Sequence, residues 1–530
     1  MKTAIKFLSL LALALFYSCA ALQSQDELID LDNASKRALK NYEAVKTLYQ
    51  QRNYKQTLEA LDDLLEKNPS FIDAHLLRAA YYTDDFVADR AKVKSSLETA
   101  ISLDSLYDKK ALFSLARMHY EDGMYSASLQ CLSSLKTQER FYKRYEKEIT
   151  SLYERAAFSK KQIAQVDSGA WQIRPFHAPF NTLGQEAFPT MNANWKELFF
   201  GRIASTNEDI YQSQKTEGSW SADTPVSALN TPSNESTQTL SSDGKTLLFA
   251  SCGKSGGYGS CDIYGARRSQ GNWSKPQNLG PVINTRHWES QPCLAEDGLV
   301  LLFSSDRPGG YGGKDLYFSR WTDRGWTRPQ NMGPVVNTPG DEGAPFLHFS
   351  GQALYFMSNG HLGMGKQDLY MAKGSMEQWD TVLHLPPPIN SHLEQTSMIV
   401  NMDGTQAIYA SEKNEKAPGY RYMNLDLFIC TLPPNFQAPP ASYVSGTVSF
   451  QGEPLEKTSI EIYTLDGSYR KKLLTPSDGE FLLSVPFGHR YGIVAEKDGY
   501  LLHSNTFNLL DEQWRDSTKY LPIVMQSIEA

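Results

Sequence analysis

The sequence predicts three folded parts in series: an α-helical repeat solenoid, a five-bladed β-propeller (six-bladed if one irregular unit is hidden) and a small β-sandwich. Three observations predict it. Apolar residues recur at steps of three and four through the first third, where glycine is scarce. A triplet of Asp, an apolar residue and an aromatic then returns at a constant step. Short alternating strands with Asp-Gly turns follow a proline-rich linker.

The chain has 530 residues, enough for about three domains. Its net charge of −8 makes nucleic acid an unexpected partner. Lys2 and Lys6, the apolar run Ile5–Phe16 and the small residues around Ser18–Ala21 have the layout of an export signal spanning 1–24. The run is shorter than the roughly 20 apolar residues of a membrane-spanning helix, and no later stretch replaces it. Phe16-Tyr17-Ser18-Cys19 resembles a bacterial lipoprotein box, which implies acylation of Cys19 and an outer-membrane tether; cleavage after Ala20, Ala21 or Ser24 is the alternative. Export implies an oxidising compartment. Of the remaining cysteines only Cys252 and Cys261 are near neighbours, and a disulfide closing that loop would contribute on the order of 2–3 kcal/mol. No His or Cys pair has zinc-site spacing, and neither metal nor cofactor is expected.

Residues 31–165 read as helical hairpins. Leu58, Leu61, Leu64 and Leu65 share one face of a helix that Asn68-Pro69 ends. A second pair runs from Ile72 to Asp104 with an insertion near Thr83–Asp89, a third from Asp108 to Leu135, and one capping helix from Glu139 to Lys161. The period of about 34 residues, with Ala44, Ala79 and Ala116 where helices approach closely and Pro69 at a repeat end, resembles the tetratricopeptide repeat. That resemblance implies a protein-binding array.

Residues 168–435 carry the strongest signal. Asp209-Ile210-Tyr211, Asp262-Ile263-Tyr264, Asp315-Leu316-Tyr317 and Asp368-Leu369-Tyr370 are spaced by 53 residues, and Asp426-Leu427-Phe428 follows after 58. Trp220, Trp273, Trp326 and Trp379 keep the step, as do Asn230-Thr231, Asn284-Thr285, Asn337-Thr338 and Asn390-Ser391. Each unit reads as four strands; in the second these are Ser236–Leu240, Thr246–Ser251, Asp262–Arg268 and Trp273–Leu279. Ser241–Lys245, Phe303-Ser304-Ser305-Asp306-Arg307 and the triplets resemble the TolB propeller repeat, and the shared Asp is expected to bond backbone rather than ligand. The fifth unit lacks its Trp strand, whereas Trp171–Pro175 followed by Asn181-Thr182 looks like that strand and its connector. Closure of the ring there is expected, leaving no free sheet edge.

Strand order puts the glycine-rich loops and the inter-blade connectors on one face. Tyr258, Tyr311, His361 and Met364 in the loops, Arg307 beside them, and Arg286, His287 and Trp288 in a connector are its candidate binding residues.

Within 441–525, Val444–Phe450, Ser459–Tyr463, Gly479–Val485 and Tyr491–Lys497 alternate as strands. Gly446-Thr447-Val448, Thr475–Phe481 and Lys497-Asp498-Gly499-Tyr500 resemble the carboxypeptidase regulatory-like (transthyretin-like) sandwich, which implies a spacer or adhesive module without a catalytic site. The whole order resembles the OmpA-family envelope proteins of Bacteroidota of the PorE type, associated with type IX secretion. Their peptidoglycan-binding OmpA-like domain comes last, and the sequence ends at Ser527-Ile528-Glu529-Ala530 where it would begin, so direct peptidoglycan anchoring is not expected.

No G-x-S-x-G elbow, H-E-x-x-H or phosphate loop occurs. A glycosidase would need paired carboxylates, for which Asp306, Glu289 and Glu342 are the available residues. The expected function is a non-enzymatic adaptor of the periplasm or outer membrane that binds envelope proteins through the helices and the propeller face. The alternative is a glycan or peptide binder using the propeller alone.

Overall fold

The computed structural model describes residues 28–166, 169–176, 180–203, 207–295, 298–413, 424–515 and 517–528. The export segment and Cys19 lie outside the described residues. The chain divides between Ala157 and Phe158 into two compact units.

The described part of the first unit is helical: α1 (Lys36–Gln50), α2 (Tyr54–Lys67), α3 (Ile72–Thr83), α4 (Arg90–Leu103), α5 (Lys109–Glu121), α6 (Tyr125–Lys136), α7 (Glu139–Arg144) and α8 (Glu146–Ala164). Side-chain oxygens of Ser35, Asp89 and Asp108 accept from the first free N–H groups of α1, α4 and α5, as N-caps do. Leu61, Leu64 and Leu65 of α2 bury against Tyr42, Val45 and Phe71. Leu112, Ala116, Leu132, Leu135 and Ile149 continue the packing. Ala79 and Ala116 are buried as expected of close-approach positions, but Ala44 faces solvent and its neighbour Val45 takes the packed side. The helix expected over Glu139–Lys161 is two helices. Tyr145 leaves helical geometry at φ −120°, and Phe141, Tyr142 and Tyr145 all pack on the Leu112 cluster, a set of contacts served by the break.

The second unit opens with five antiparallel sheets. Their first strands are Gln185–Met191, Asn234–Leu240, Glu289–Ala295, Glu342–Leu347 and Gln395–Val400. Each first strand touches those of the two neighbouring sheets, and the fifth touches the first. The sheets therefore form a closed ring about one axis, the arrangement of a propeller. Every first strand carries a register shift, the mark of a bulge that re-aims side chains. Hydroxyls and amides at the bulges cross between sheets: Phe188 N donates to Ser397 Oγ (3.0 Å), Gln291 N to Thr237 Oγ1 (3.3 Å) and Ala344 N to Gln291 Oε1 (2.8 Å).

The fourth strand of the fifth sheet is supplied from upstream. Arg174 and Pro175 pair with Ile429 and Phe428. Thr431 N donates to the Trp171 carbonyl (2.9 Å) and Phe176 N to that of Leu427 (2.8 Å). Asn181 holds Leu427 by both backbone groups, at 2.9 Å each. The single outer strand expected at Trp273–Leu279 is two pieces, Asn272–Trp273 and Gln277–Asn278, and the third sheet divides likewise. Pro276 and Pro329 sit in the gaps, where they offer no N–H to a ladder. In the fourth sheet, which lacks that proline, Gln378–His384 runs unbroken.

Past Pro433 the chain does not act as a free spacer. Phe436 packs on Trp171 (ring centroids 5.3 Å) and its carbonyl accepts from Tyr355 Oη (2.7 Å). Two sheets then face each other over Val444, Ile460, Leu483, Tyr491 and Ile493. In one, Ala441–Phe450 lies between Glu480–Pro486 on one side and Thr518–Tyr520 and Ile523–Val524 on the other; in the other, the order is Arg470–Leu474, Ser459–Thr464, Arg490–Glu496, His503–Asn508. The sandwich meets the ring where Ala441 and Tyr443 pack on Met402 and Phe349, and where Lys245 pairs with Asp478 and Glu480.

His348 sits at that junction, buried, with Nε2 on the Asn401 carbonyl (2.9 Å) and Nδ1 against Ser350 Oγ (3.0 Å). Burial lowers its pKa to about 4. The unfolded chain takes up this proton near pH 6.5 and the folded chain only near 4, so stability present above pH 6.5 is lost as pH falls through that window. Denaturant titrations from pH 7 to pH 4 should show a loss of up to about 3 kcal/mol from this group, and His348→Gln should flatten that part of the profile. Deleting residues 171–182 should abolish the cooperative unfolding transition of the ring; a deletion variant with unchanged melting temperature contradicts closure by this segment.

Candidate functional site

In the second, third and fourth sheets the polar residues that mark the repeat hold backbone. In the second sheet Asp262 accepts from the N–H groups of Tyr258 (2.6 Å) and Gly259 (3.0 Å) and from Asn278 Nδ2 (2.8 Å). Asp315 does the same with Tyr311, Gly312 and Asn331 at 2.6, 3.1 and 2.7 Å. Asp368 accepts from Met364 (2.6 Å) and Gly365 (3.1 Å). The loops bend so closely over the carboxylate that a Cβ on Gly310 would lie 2.1 Å from Asp315 Oδ2, which accounts for glycine there. Asn284 brackets both backbone groups of Ile263 (2.8 and 2.9 Å), and Asn337 and Asn390 do so for Leu316 and Leu369.

A second constellation, not read from the sequence, fixes each connector to its inner strand. The Thr of each Asn-Thr pair donates N–H and Oγ1–H to the two oxygens of a Glu four residues on. These are Thr231 with Glu235 (2.7 and 2.6 Å), Thr285 with Glu289 (2.7 and 2.7 Å) and Thr338 with Glu342 (2.8 and 2.6 Å). A serine from the second strand adds a third donor: Ser251, Ser305 and Ser358, at 2.8, 2.9 and 2.7 Å. All three glutamates are completely buried. In the first sheet Thr182 and Arg202 hold Glu186, whose carboxyl burial pushes up against the pull of both partners. The fifth sheet has Gln395 bonded to Ser391 and Ser411. The Thr-x-x-x-Glu spacing recurs at Thr231, Thr285 and Thr338, and that was the available signal.

What these bonds leave outside is aromatic. Tyr258 and Tyr311 occupy equivalent loop positions and are about half exposed. Between them lies the connector carrying Trp288, half-buried, with Lys314 Nζ 4.2 Å from its ring centre. Lys314, directly before the triplet Asp, completes the patch and went unnoticed in the sequence. Arg286 is exposed, and His287 is half-buried with Nδ1 3.9 Å from Asp306. A disulfide joins Cys252 and Cys261 at the base of the Tyr258 loop.

Three of the residues expected on this face are engaged elsewhere. Met364, at the position of the two tyrosines, is buried, and the carbonyl of its neighbour Gly363 accepts from Ser159 Oγ (3.5 Å). Arg307 folds back onto Glu289 (3.1 Å), the Ile283 carbonyl (2.7 Å) and the Phe303 and Tyr317 rings, and burial lowers its pKa against the pull of Glu289. His361 places Nε2 on the Val336 carbonyl (2.9 Å) and its ring on Phe356 and Tyr370.

The axial channel holds an open volume of about 70 Å³, lined by Phe188, Thr237, Gln291, Ala344 and Ser397 from the five inner strands. That is room for a few waters and not for a sugar ring. Of the three carboxylates suited to glycosidase chemistry, Glu289 and Glu342 are buried in their clamps, and Asp306 caps the Trp288 N–H at 2.8 Å. No cluster of His, Cys, Asp and Glu suited to a metal occurs among the described residues.

No family model matches the chain. No curated protein matches it either. Among solved structures, TolB from Acinetobacter baumannii aligns at 15% identity with a TM-score of 0.31, over 54% of this chain and 70% of its own. A putative TolB from Agrobacterium tumefaciens aligns at 12% and 0.30, over 58% and 91%. An α-L-arabinofuranosidase from Lactobacillus brevis aligns at 14% and 0.36, over 49% and 94%. No helix of the described residues is long and apolar enough to cross a membrane.

Gln395 shows that an amide can fill the clamp. Glu342→Gln should therefore change stability by less than about 1 kcal/mol, whereas Glu342→Ala, which strands Thr338 and Ser358, should cost about 2–3 kcal/mol. Chemical denaturation of the two variants checks the difference.

Proposed function

We propose that this chain is a non-enzymatic adaptor of the cell envelope, held in the periplasm or at the outer membrane, and linked to outer-membrane organisation or type IX secretion. In this reading α1–α8 are a tetratricopeptide-type array that takes one protein partner. The five sheets are the blades of a TolB-like propeller whose loop face takes another. The terminal sandwich is a regulatory-like spacer.

The observation that carries the reading is the division of labour among the repeat residues. In the second and third sheets the Asp, Asn and Thr–Glu sets bond backbone, while Tyr258 and Tyr311 stand outward over them beside the half-buried Trp288. Aromatic side chains on a scaffold that costs little to order are efficient contact anchors. The narrow channel and the engaged carboxylates favour surface contact over chemistry. A second reading, a glycan or peptide binder using the propeller alone, is favoured by the same pair of exposed tyrosines, since such rings also serve as stacking platforms.

Full-length protein immobilised in envelope extract separates the two. Tyr258→Ala, Trp288→Ala and Tyr311→Ala combined should release one set of partners with the melting temperature unchanged, and deletion of residues 31–165 should release a different set. If the deletion releases nothing and soluble oligosaccharide elutes the bound material, the adaptor reading fails and the binder stands.

A further inference from the structure

The second, third and fourth sheets build one loop three times. Gly257-Tyr258-Gly259, Gly310-Tyr311-Gly312 and Gly363-Met364-Gly365 stand at the 53-residue step of the repeat. In each, the middle N–H reaches its Asp at 2.6 Å and the next N–H at 3.0 or 3.1 Å. The last glycine presses on the connector that follows. A Cβ there would lie 1.8 Å from the His287 carbonyl oxygen, 2.3 Å from that of Thr338 and 2.3 Å from that of Leu393. The three loops therefore present the same backbone surface.

The fourth-sheet loop is covered, and its cover belongs to the chain itself. Gly363, Met364 and Gly365 are buried, whereas Gly257, Tyr258, Gly310 and Tyr311 are exposed. Ser159 of α8, wholly buried, donates Oγ–H to the Gly363 carbonyl (3.5 Å). Its neighbour Phe158 sets its ring edge-on to His384 at 5.0 Å. Both residues belong to the same compact unit as the ring. A helix comes this close because the loop offers glycine backbone in place of side chains.

The second and third sheets keep the loop and move the aromatic ring. Asn278 and Asn331 stand where the fourth sheet has His384, and each amide is committed to its Asp (2.8 and 2.7 Å). The ring lies instead on the loop, in Tyr258 and Tyr311, each about half exposed. The Gly257 and Gly310 carbonyls, equivalent to that of Gly363, accept no hydrogen bond among the described residues. Each of these loops thus repeats the fourth-sheet surface with nothing on it.

We infer that the loops of the second and third sheets seat an α-helix of a protein partner, in the way that α8 seats on the fourth. The partner helix lays a serine, or a residue as small, on the Gly257 or Gly310 carbonyl. An adjacent apolar side chain packs on Tyr258 or Tyr311. The inference rests on the protein-binding reading of the loop face and adds the form of the partner.

The probe is a labelled peptide of the α8 sequence, Glu146–Ala164, held helical by a lactam staple on the side away from Phe158 and Ser159. It is titrated into the full chain by fluorescence anisotropy, with peptide or protein up to about 1 mM. The fourth loop is occupied in the full chain, so binding reports the other two. The stapled peptide should bind about tenfold more tightly, or better, than a peptide carrying Ala157→Pro, which breaks the helix. Ser159→Trp in the peptide should weaken binding about tenfold by overfilling the glycine contact. Tyr258→Ala and Tyr311→Ala combined in the protein should weaken it by about as much, whereas Trp321→Ala, at the far end of a third-sheet strand, should leave it unchanged. Absence of binding, equal binding of the stapled and proline peptides, or indifference to both tyrosines would each overturn the inference. The envelope-extract experiment tells its failure from that of the adaptor reading. Partners released by the tyrosine substitutions, with no helix preference in the peptides, sink the helix alone; helix-dependent binding with no partner released sinks the adaptor.

Discussion

Four of the five connectors are held by a carboxylate with no access to water, and the fifth by the amide of Gln395. Glu235, Glu289 and Glu342 each collect three hydrogen bonds from a threonine on the connector and a serine on the adjoining strand, and Glu289 a fourth from Arg307. A buried carboxylate is costly unless fully bonded, so these donors must be in place together with the strands they join. The arrangement ties sheet, connector and ring into one cooperative object. It also sets the height at which the glycine loops leave the scaffold, and hence where Tyr258 and Tyr311 stand.

The ring depends equally on its closure. Five twisted sheets around an axis bury both faces of each only if the last meets the first. Here the seam is made by residues far apart in sequence: Asn181 brackets Leu427, and Phe188 bonds Ser397. The bulged inner strands force Phe188, Thr237, Gln291 and Ala344 into positive φ, between 45° and 54°. That conformation costs each of them roughly 1 kcal/mol or more. In return their side chains or amides reach across to the next sheet, so local strain and the cross-sheet bonds are two sides of one geometry.

Much of this was legible in the sequence because repetition amplifies weak signals. Asp262, Asp315 and Asp368 announced one loop three times, and the Trp series located the outer strands. What stayed hidden was context. Met364 aligns with two tyrosines, yet nothing local says that its loop is covered. Arg307 looked free because its partner Glu289 lies on another strand. The strand Arg470–Leu474 was missed since three consecutive basic residues suit an edge, where solvent takes the charges, and not an alternating pattern. Bulges leave no composition trace at all, because Phe, Thr, Gln and Ala share only a backbone angle.

The cross-link between Cys252 and Cys261 bears on how such a protein can be assembled. The loop it spans is already shaped by Asp262, and the Tyr311 loop reaches the same form around Asp315 without any sulfur bridge. Oxidation therefore fastens a shape that hydrogen bonds have selected, and the order of events at biogenesis is free: the blade can complete itself first and meet its oxidant afterwards.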